Sequence, residues 1–298
     1  MNHKVKFDVI VPCYNVEHTI EKCLDSIFSQ EYPRDKFSVI VVDDGSTDNT
    51  LKYLKRVNLE QSFTLISLES NKGLSTARNY GIKKGKAEII CFIDSDMVVQ
   101  PNWLSNFEII LNRSEVIGVI GEISLPKVET PNRLDDYFYS KHRGARQFGE
   151  GSIIGPTWFL FNNTAVKRSA IEKTTLFDEQ ISCYGGEDTD MAIRLWKLFP
   201  NAFFYSSKII AEHFHKRTIG QFCSQMEIYG KFNLPKLLER YPEFKQELGG
   251  DWVSGIKGLL VFNVFFAGLI KFLNGFTPHI IFTKYLVIYS AIRGYRSI

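Results

Sequence analysis

The most restrictive feature of this chain is an alternation, over its first hundred residues, of short apolar runs with stretches of helical periodicity. The runs are rich in Val, Ile and Phe and have the length of buried strands. Between them, apolar residues recur at three- and four-residue intervals, as on one face of a helix. This order predicts an α/β fold, with a mostly parallel sheet flanked by helices. The predicted strands are Phe7–Val11, Phe37–Val42, Phe63–Leu68 and Glu88–Ile93, and the predicted helices are Glu17–Gln30, one beginning at Thr47, and Leu74–Lys84.

After Pro101 the alternation weakens, although single elements are still recognisable. A polar segment with several basic residues, 133–151, predicts a mobile loop or a helix. The other predicted elements are the helices Trp103–Leu111 and Asp188–Phe199 and the strands Val116–Leu125 and Ala202–Ala211.

Polar and acidic residues follow three of the first four predicted strands. They are Asn15, the pair Asp43-Asp44, and the triplet Asp94-Ser95-Asp96. Ligands of open parallel sheets bind beyond the carboxyl ends of the strands, so this convergence predicts a site at that edge. The Asp43-Asp44 segment also fits a turn that leads into a helix N-cap, although capping needs only one acid.

The triplet Asp94-Ser95-Asp96 has the chemistry of a divalent metal site. Carboxylates bind Mg²⁺ or Mn²⁺ and leave coordination positions for the oxygens of a diphosphate. A solvated turn after a strand is the alternative. A phosphatase that forms an aspartyl-phosphate would place a similar triplet after its first strand, whereas this one follows the fourth.

Further candidates lie later in the chain and on the third predicted helix. Asp188 follows Gly185-Gly186-Glu187 at a helix start, where a carboxylate stays ionised and is a competent general base, although it also suits an N-cap. His213 and His215 would face opposite ways on a strand, so one of them could complete a metal site. Arg78 carries a planar guanidinium suited to a phosphate or a carboxylate, or is simply solvated.

Composition narrows the class of protein. Five scattered cysteines, none spaced as C-x-x-C, argue against a disulfide framework or a zinc ribbon, and the N-terminal apolar run is too short for a signal peptide. We therefore expect a cytoplasmic protein. After residue 200 there are 12 Lys and Arg residues and 6 Asp and Glu residues. In residues 1–200 there are 24 Lys and Arg residues and 27 Asp and Glu residues. The basic residues are diluted among apolar runs, which predicts a membrane surface or an anionic ligand and no nucleic acid.

The C-terminal part is apolar and basic. Two runs of about thirteen residues, Gly258–Ile270 and Ile280–Ile292, are flanked by Lys257, Lys271 and Arg293. A spanning helix needs about 20 apolar residues, so interfacial helices on the inner face of the cell membrane fit better. An embedded hairpin and a plain helical subdomain or dimer interface are the alternatives.

Taken together, these segments resemble glycosyltransferase family 2, the inverting enzymes with a GT-A fold. The resemblance covers about residues 7–217, with 218–298 as a separate helical extension. The similar stretches are VPCYN from Val11, VVDDGSTDNT from Val41, NKGLSTARN from Asn71, the DSD triplet and GGEDTD from Gly185. The Q-x-x-R-W motif of processive polymerases is absent, which favours transfer of a single sugar.

The resemblance implies a role for each matching position. Asp44 would meet uracil, Asp94 the ribose and sugar, and Asp188 would be the base, with Glu187 beside it. Asp96 would bind Mn²⁺ or Mg²⁺, and His213 fits the metal-adjacent histidine better than His215. The expected nucleotide-sugar-binding residues are Pro12, Tyr14, Glu17, Asp44, Arg78, Asp94 and Ser95.

The expected function is metal-dependent transfer of a sugar, from UDP by family habit, to a hydroxyl of a glycan or lipid-linked acceptor in cell-surface polysaccharide or glycolipid synthesis. Two alternatives stand beside it. One is a non-catalytic protein that binds nucleotide-sugars or glycans. The other is a sugar-phosphate nucleotidylyltransferase, which would need a Gly-rich, Arg-bearing loop after the first strand where this chain has Pro12-Cys13-Tyr14-Asn15.

Overall fold

The computed structural model describes residues 5–57, 63–127, 131–277 and 279–298. Its central element is an eight-stranded sheet with the spatial order β3-β2-β1-β4-β7-β6-β8-β5. In chain order the strands are β1 (Phe7–Cys13), β2 (Phe37–Asp43), β3 (Phe63–Ser67), β4 (Ile89–Ile93), β5 (Met97–Val99), β6 (Gly118–Ser124), β7 (Asn163–Lys167) and β8 (Phe203–His213).

The first half of the sheet is parallel, which confirms the predicted fold class. β3, β2, β1 and β4 run in one direction, with Cys13 opposite Asp43 and Ile10 opposite Phe92. The ends of the predicted strands in this half agree with the observed ones within two residues. Because the strands are parallel, the residues that follow β1, β2 and β4 emerge at one edge of the sheet.

The second half of the sheet is mixed. β6 and β8 are parallel, but β7 lies antiparallel between β4 and β6, and β5 is antiparallel to β8. β7 has no counterpart among the predicted strands, because this strand begins with two polar residues. Asn163 is buried there, accepting from the Trp103 indole N–H at 2.8 Å and donating to the Glu122 carbonyl at 2.9 Å.

The chain forms two compact units. The first contains Met1–Pro126, Gly144–Ser182 and Glu187–His215, and the second contains Lys127–Arg143, Cys183–Gly186 and Lys216–Ile298. The helices of the first unit are α1 (Ile20–Phe28), α2 (Thr50–Leu54), α3 (Leu74–Lys84), α4 (Trp103–Leu111), α6 (Arg168–Ile171) and α7 (Glu187–Leu198). The helices of the second unit are α5 (Arg133–Phe138), α8 (Ile219–Phe232), α9 (Leu234–Arg240), α10 (Gly250–Ser254), α11 (Ile256–Val261), α12 (Val264–Phe276) and α13 (Ile280–Tyr295).

Helices cover both faces of the sheet in the first unit. Val9 and Val11 pack on one face with the apolar side of α1 and with α4, whereas Ile10 packs on the other face with α3 and α7 residues such as Met191. Successive side chains of a strand point to opposite faces. A strand buried on both faces therefore reads as a continuous apolar run, which is why β1, β2 and β4 were recognisable.

In the second unit, α8 and α13 pack closely. A Cβ atom on Gly230 would lie 1.9 Å from the Ala291 carbonyl oxygen, and one on Gly294 would lie 2.0 Å from the Glu227 carbonyl oxygen. The two glycines therefore let the helix backbones come together without side chains between them.

The structure shows helices in the three later segments for which the sequence predicts a helix or offers it as an alternative. The polar segment 133–151 contains α5, which begins with a capping box at Asn132, and a short 3₁₀ helix at Ala145–Phe148. The apolar run 258–270 is not one helix, because Asn263 caps a new one by accepting from the Phe266 N–H at 3.0 Å. The run 280–292 forms part of α13, whose inner face is buried.

None of the helices in the described ranges combines the length and the apolarity that crossing a bilayer requires.

Candidate active site

The loop after β1 forms one side of the candidate site. Asn15 has a φ of 54°, and its side-chain oxygen accepts from the Thr47 N–H at 2.8 Å. The Glu17 carboxylate accepts from the Asn49 N–H, also at 2.8 Å. These bonds hold 46–49 as a loop, so α2 begins at Thr50 and not at the predicted Thr47.

The expected nucleotide-binding residues of this region differ in exposure. Tyr14 is 44% exposed and can stack on a ligand, whereas Pro12 is buried within β1 opposite Val42. Glu17 is partly buried and binds the start of α2. Among these three, Tyr14 presents the most accessible surface to a nucleotide.

Asp44, at the end of β2, anchors the loop before α3. Its two carboxylate oxygens accept from the backbone N–H groups of Lys72 and Gly73, at 2.7 and 2.8 Å. Burial raises the pKa of Asp44, and these two hydrogen bonds act in the opposite direction. Gly73 has a φ of +94°, a conformation that side chains rarely adopt, and it directly precedes α3.

Arg78, on α3, is the centre of an acidic cluster. Its side chain is 1% exposed, and its Nη1 lies 2.5 Å from Asp188 Oδ1 and 3.5 Å from Glu187 Oε1. Its Nη2 lies 3.8 Å from Asp94 Oδ1. Of the predicted alternatives for Arg78, which were a phosphate, a carboxylate or solvation, the structure shows carboxylates: three of them, from two distant segments, share one guanidinium.

Phe161 completes this cluster through its backbone. Its carbonyl accepts from Arg78 Nη2 at 2.8 Å, and its N–H donates to Asp188 Oδ2 at 3.2 Å. These two hydrogen bonds orient the Arg78 guanidinium and the Asp188 carboxylate. Phe161 is not among the residues expected from the sequence, because a backbone contact in an apolar run leaves no signal in the side-chain pattern.

Two carboxylates of the cluster have pKa values far above the ordinary range. Burial is the main cause for both. The pKa of Asp94 is raised to about 7, with Asp96 and Asp188 adding to the rise and Arg78 opposing it. The pKa of Glu187 is also raised to about 7, because the charge of Asp188 adds to its burial while Arg78 again opposes it. Groups with such pKa values exchange protons near neutral pH.

Asp96 and His213 meet beside this cluster. Asp96 Oδ2 lies 3.2 Å from His213 Nε2. Ser95, which separates Asp94 from Asp96 in the chain, is buried. The expectation that His213 and His215 face opposite ways is wrong, because β8 ends at His213 and their ring centroids lie only 4.8 Å apart. Within the described part of the chain, no group of three or more acidic, His or Cys side chains is arranged to hold a metal ion.

One family model matches the chain. Residues 8–172, more than half of the sequence, match the model described as glycosyl transferase family 2.

Curated relatives are similar over parts of their length. Poly(ribitol-phosphate) beta-N-acetylglucosaminyltransferase TarS of Staphylococcus aureus is 37% identical over 103 residues, which cover 34% of this chain and 18% of TarS. Glycosyltransferase AglE of Haloferax volcanii is 37% identical over 97 residues, which cover 32% of each protein. Uncharacterized glycosyltransferase YfnE of Bacillus subtilis is 26% identical over 239 residues, covering 64% of this chain and 60% of YfnE. The chain thus spans less than two thirds of these relatives.

Solved structures share the fold over nearly the whole chain. Mannosyltransferase PcManGT from Pyrobaculum calidifontis, solved with GDP-Man and Mn²⁺, has a TM-score of 0.67 at 21% identity, covering 98% of this chain and 87% of that one. TarS 1-349 of S. aureus has a TM-score of 0.59 at 19% identity, covering 98% and 90%. These neighbours confirm the expected GT-A-type fold. Because the family model covers more than half of the sequence, the chain belongs to glycosyltransferase family 2.

Proposed function

We propose that this chain is an inverting glycosyltransferase that moves one sugar from a nucleotide-sugar to a hydroxyl acceptor. The observation that carries the proposal is the cluster of Asp94, Glu187 and Asp188 around Arg78, beside Asp96 and His213. It lies where the strands of a parallel sheet end, which is where such sheets bind nucleotides. UDP is the favoured nucleotide, because TarS, solved with UDP-GlcNAc, is 37% identical over its matching segment, whereas PcManGT, solved with GDP-Man, is similar in structure at 21% identity.

Asp188 is the proposed general base. Arg78 and the Phe161 N–H each bond one of its oxygens, which fixes the carboxylate and leaves further lone pairs for an acceptor hydroxyl. The hydroxyl oxygen attacks the anomeric carbon, its proton passes to Asp188, and the bond from that carbon to the phosphate oxygen breaks. The nucleoside diphosphate leaves with the electron pair, and the anomeric configuration inverts.

Asp96 and His213 are the proposed metal ligands. An oxygen and a nitrogen donor 3.2 Å apart can be adjacent ligands of one ion. The Asp96 carboxylate suits Mn²⁺ or Mg²⁺, and the His213 imidazole is acceptable for Mn²⁺, so the pair favours Mn²⁺. Two protein ligands leave positions for diphosphate oxygens, as is usual for magnesium at nucleotide sites. A bound divalent ion would neutralise the charge that develops on the leaving group.

The remaining residues are proposed to hold the donor and the acceptor. Glu187, with a pKa of about 7, can donate to or accept from a sugar hydroxyl. Asp94 would contact the ribose or the sugar, with Ser95 beside it. Pro12, Tyr14, Glu17 and Asp44 would form the nucleotide pocket of a catalytic domain over 1–217.

We further propose a glycan or lipid-linked acceptor at the inner face of the cell membrane. Several relatives are named for reactions on polymers. TarS and a Bacillus spizizenii beta-glucosyltransferase are named for poly(ribitol-phosphate), and a Staphylococcus epidermidis relative is named poly-beta-1,6-N-acetyl-D-glucosamine synthase. The acceptor class is inferred from these names.

A donor panel tests the proposal. The full chain is incubated with UDP-GlcNAc, UDP-glucose or GDP-mannose, with Mn²⁺ or with a chelator, and release of nucleoside diphosphate is measured. We expect release from a UDP-sugar that requires the metal. Donor binding without release would instead indicate a non-catalytic binding protein. Formation of a nucleotide-sugar from a nucleoside triphosphate and a sugar phosphate would indicate a nucleotidylyltransferase.

A further inference from the structure

The second unit carries a concentrated exposed apolar surface. Of the 24 large hydrophobic side chains that are exposed in the described ranges, 12 lie between Trp252 and Ile281. This stretch comprises α11 and α12 with their flanking residues. Scattered exposed apolar residues are normal, but half of those in the described ranges fall within this one stretch, and such a concentration indicates an interaction surface.

On α12, four of the exposed residues form a stripe, and Val264 and Phe266 are exposed beside it. Phe265, Leu269, Phe272 and Phe276 are spaced at i, i+4, i+7 and i+11, which places them on one side of the helix. The phenylalanines of the stripe are 64 to 75% exposed. The buried residues of the same helix, such as Ala267, fall on the opposite side. The helix is therefore held to the unit by one side and presents aromatic side chains on the other.

The charged side chains of this part of the chain are all basic. Residues 252–298 contain three lysines and two arginines and no Asp or Glu. The lysines, Lys257, Lys271 and Lys284, are all exposed and lie on α11, α12 and α13. Basic residues around an aromatic and aliphatic stripe are typical of helices that lie in the headgroup region of an anionic bilayer.

The dimensions exclude a spanning arrangement for α12. Its 13 residues extend about 20 Å, whereas the hydrocarbon core of a bilayer is about 30 Å thick. We propose that α11 and α12 form a peripheral membrane-binding element, with α12 in the plane of the surface, its Phe stripe inserted and its lysines against anionic phospholipid headgroups. The location of the acceptor at the membrane rests on the proposed function, but the binding itself does not.

Co-sedimentation of the full chain with vesicles tests this surface. Vesicles of phosphatidylcholine alone are compared with vesicles that also contain phosphatidylglycerol. We expect binding to the anionic vesicles, reduced by salt. Phe272→Glu should weaken it at least about tenfold, because the ring loses its apolar burial and a negative charge is added. Lys271→Gln should weaken it about fivefold.

Ile109→Glu is the matched control, because Ile109 is 68% exposed but lies on α4 in the first unit. We expect it to bind vesicles like the wild type. The proposal is overturned if the wild type binds neither kind of vesicle, or if Phe272→Glu and Ile109→Glu bind equally well. It is also overturned if the wild type is a dimer that Phe272→Glu dissociates without any change in vesicle binding, since the surface would then join two copies of the chain.

Nucleotide release in the same preparations separates the two proposals. Vesicle binding without release from any donor would contradict the glycosyltransferase and leave the membrane-binding element standing. Nucleotide release without vesicle binding would contradict the membrane-binding element and leave the glycosyltransferase standing.

Discussion

At Arg78 a single buried guanidinium lies between 2.5 and 3.8 Å from oxygens of Asp188, Glu187 and Asp94. One positive charge faces three acids, so the cluster carries excess negative charge whenever all three are ionised. This excess, together with burial, holds the pKa values of Asp94 and Glu187 near 7. The protonation of these two acids therefore depends directly on the charge of residue 78.

Replacing Arg78 should shift the pH dependence of turnover. Arg78→Gln removes a charge that lowers the pKa values of Asp94 and Glu187, so both should rise further, by about 1–3 units. If turnover requires either acid to be ionised, the acid limb of the rate profile moves to higher pH. Arg78→Lys keeps the charge and should shift the profile much less. An unchanged midpoint in Arg78→Gln, with circular dichroism showing a folded protein, would refute this coupling.

Asp188→Asn tests whether Asp188 is the general base. The amide preserves the shape of the side chain but cannot take the proton, so turnover should fall about 100- to 10,000-fold while donor binding persists. Nucleoside diphosphate release and donor titration calorimetry measure the two effects. Glu172→Gln, at an exposed carboxylate after α6, is the control and should retain activity. Near-normal turnover in Asp188→Asn would assign the proton transfer to another group.

At the scale of elements, the contact between α8 and α13 organises the second unit. Gly230 and Gly294 each lie against a carbonyl of the opposite helix, at a separation that no side chain can enter. The apolar residues on either side of this contact belong to two small cores, one around Phe222 and Val287 and the other around Leu234 and Ile292. The close approach thus sets the spacing of both cores.

Gly230→Ala should destabilise the protein. The new Cβ would lie 1.9 Å from the Ala291 carbonyl oxygen, and both atoms belong to helix backbones, so the helices must separate. Overpacking of this kind costs about 1–3 kcal/mol in the free energy of unfolding. Gly268→Ala, on α12 with nothing within 4 Å, should be stabilising by about 0.5–1 kcal/mol. Chemical denaturation measures both, and equal stabilities of the two variants would contradict the packing argument.

At the scale of the whole molecule, stability is linked to pH through the acidic cluster. Glu187 has a pKa of about 7 in the folded chain, above the 4.5 of the unfolded reference. The contribution of this raised pKa to the free energy of unfolding is fully present below the pKa of the unfolded chain. It is lost as the pH rises through the pKa of the folded chain. Asp94, raised from 3.8 to about 7, acts in the same direction. The folded chain should therefore lose stability from about pH 5 to about pH 8 on account of these groups.

Glu187→Gln isolates this linkage. A glutamine cannot ionise, so the fall in the melting temperature between about pH 5 and pH 8 should be smaller in the variant than in the wild type. Differential scanning fluorimetry across this range measures the difference. Parallel curves for the two proteins would show that Glu187 does not titrate in this window.

Local patterns in the sequence are enough to predict the parallel half of the sheet, the family and most residues of the candidate site. Strands buried on both faces are continuous apolar runs, and the acids that follow them, such as Asp94 and Asp96, must lie at one edge. Local rules of this kind need no knowledge of distant contacts. They also placed α3 and its Arg78 correctly.

Contacts between segments far apart in the chain cannot be predicted from such patterns and are known only from the folded structure. The position of β7 depends on partners for the buried Asn163, and the orientation of Asp188 depends on the backbone of Phe161. The adjacent rings of His213 and His215 follow from where β8 ends. The Phe stripe on α12 is exposed, whereas the less apolar inner face of α13, with Thr283, Val287 and Ser290, is buried because α13 is the helix that packs on α8. Composition and periodicity cannot supply these facts, because each depends on which neighbour the fold brings to a residue.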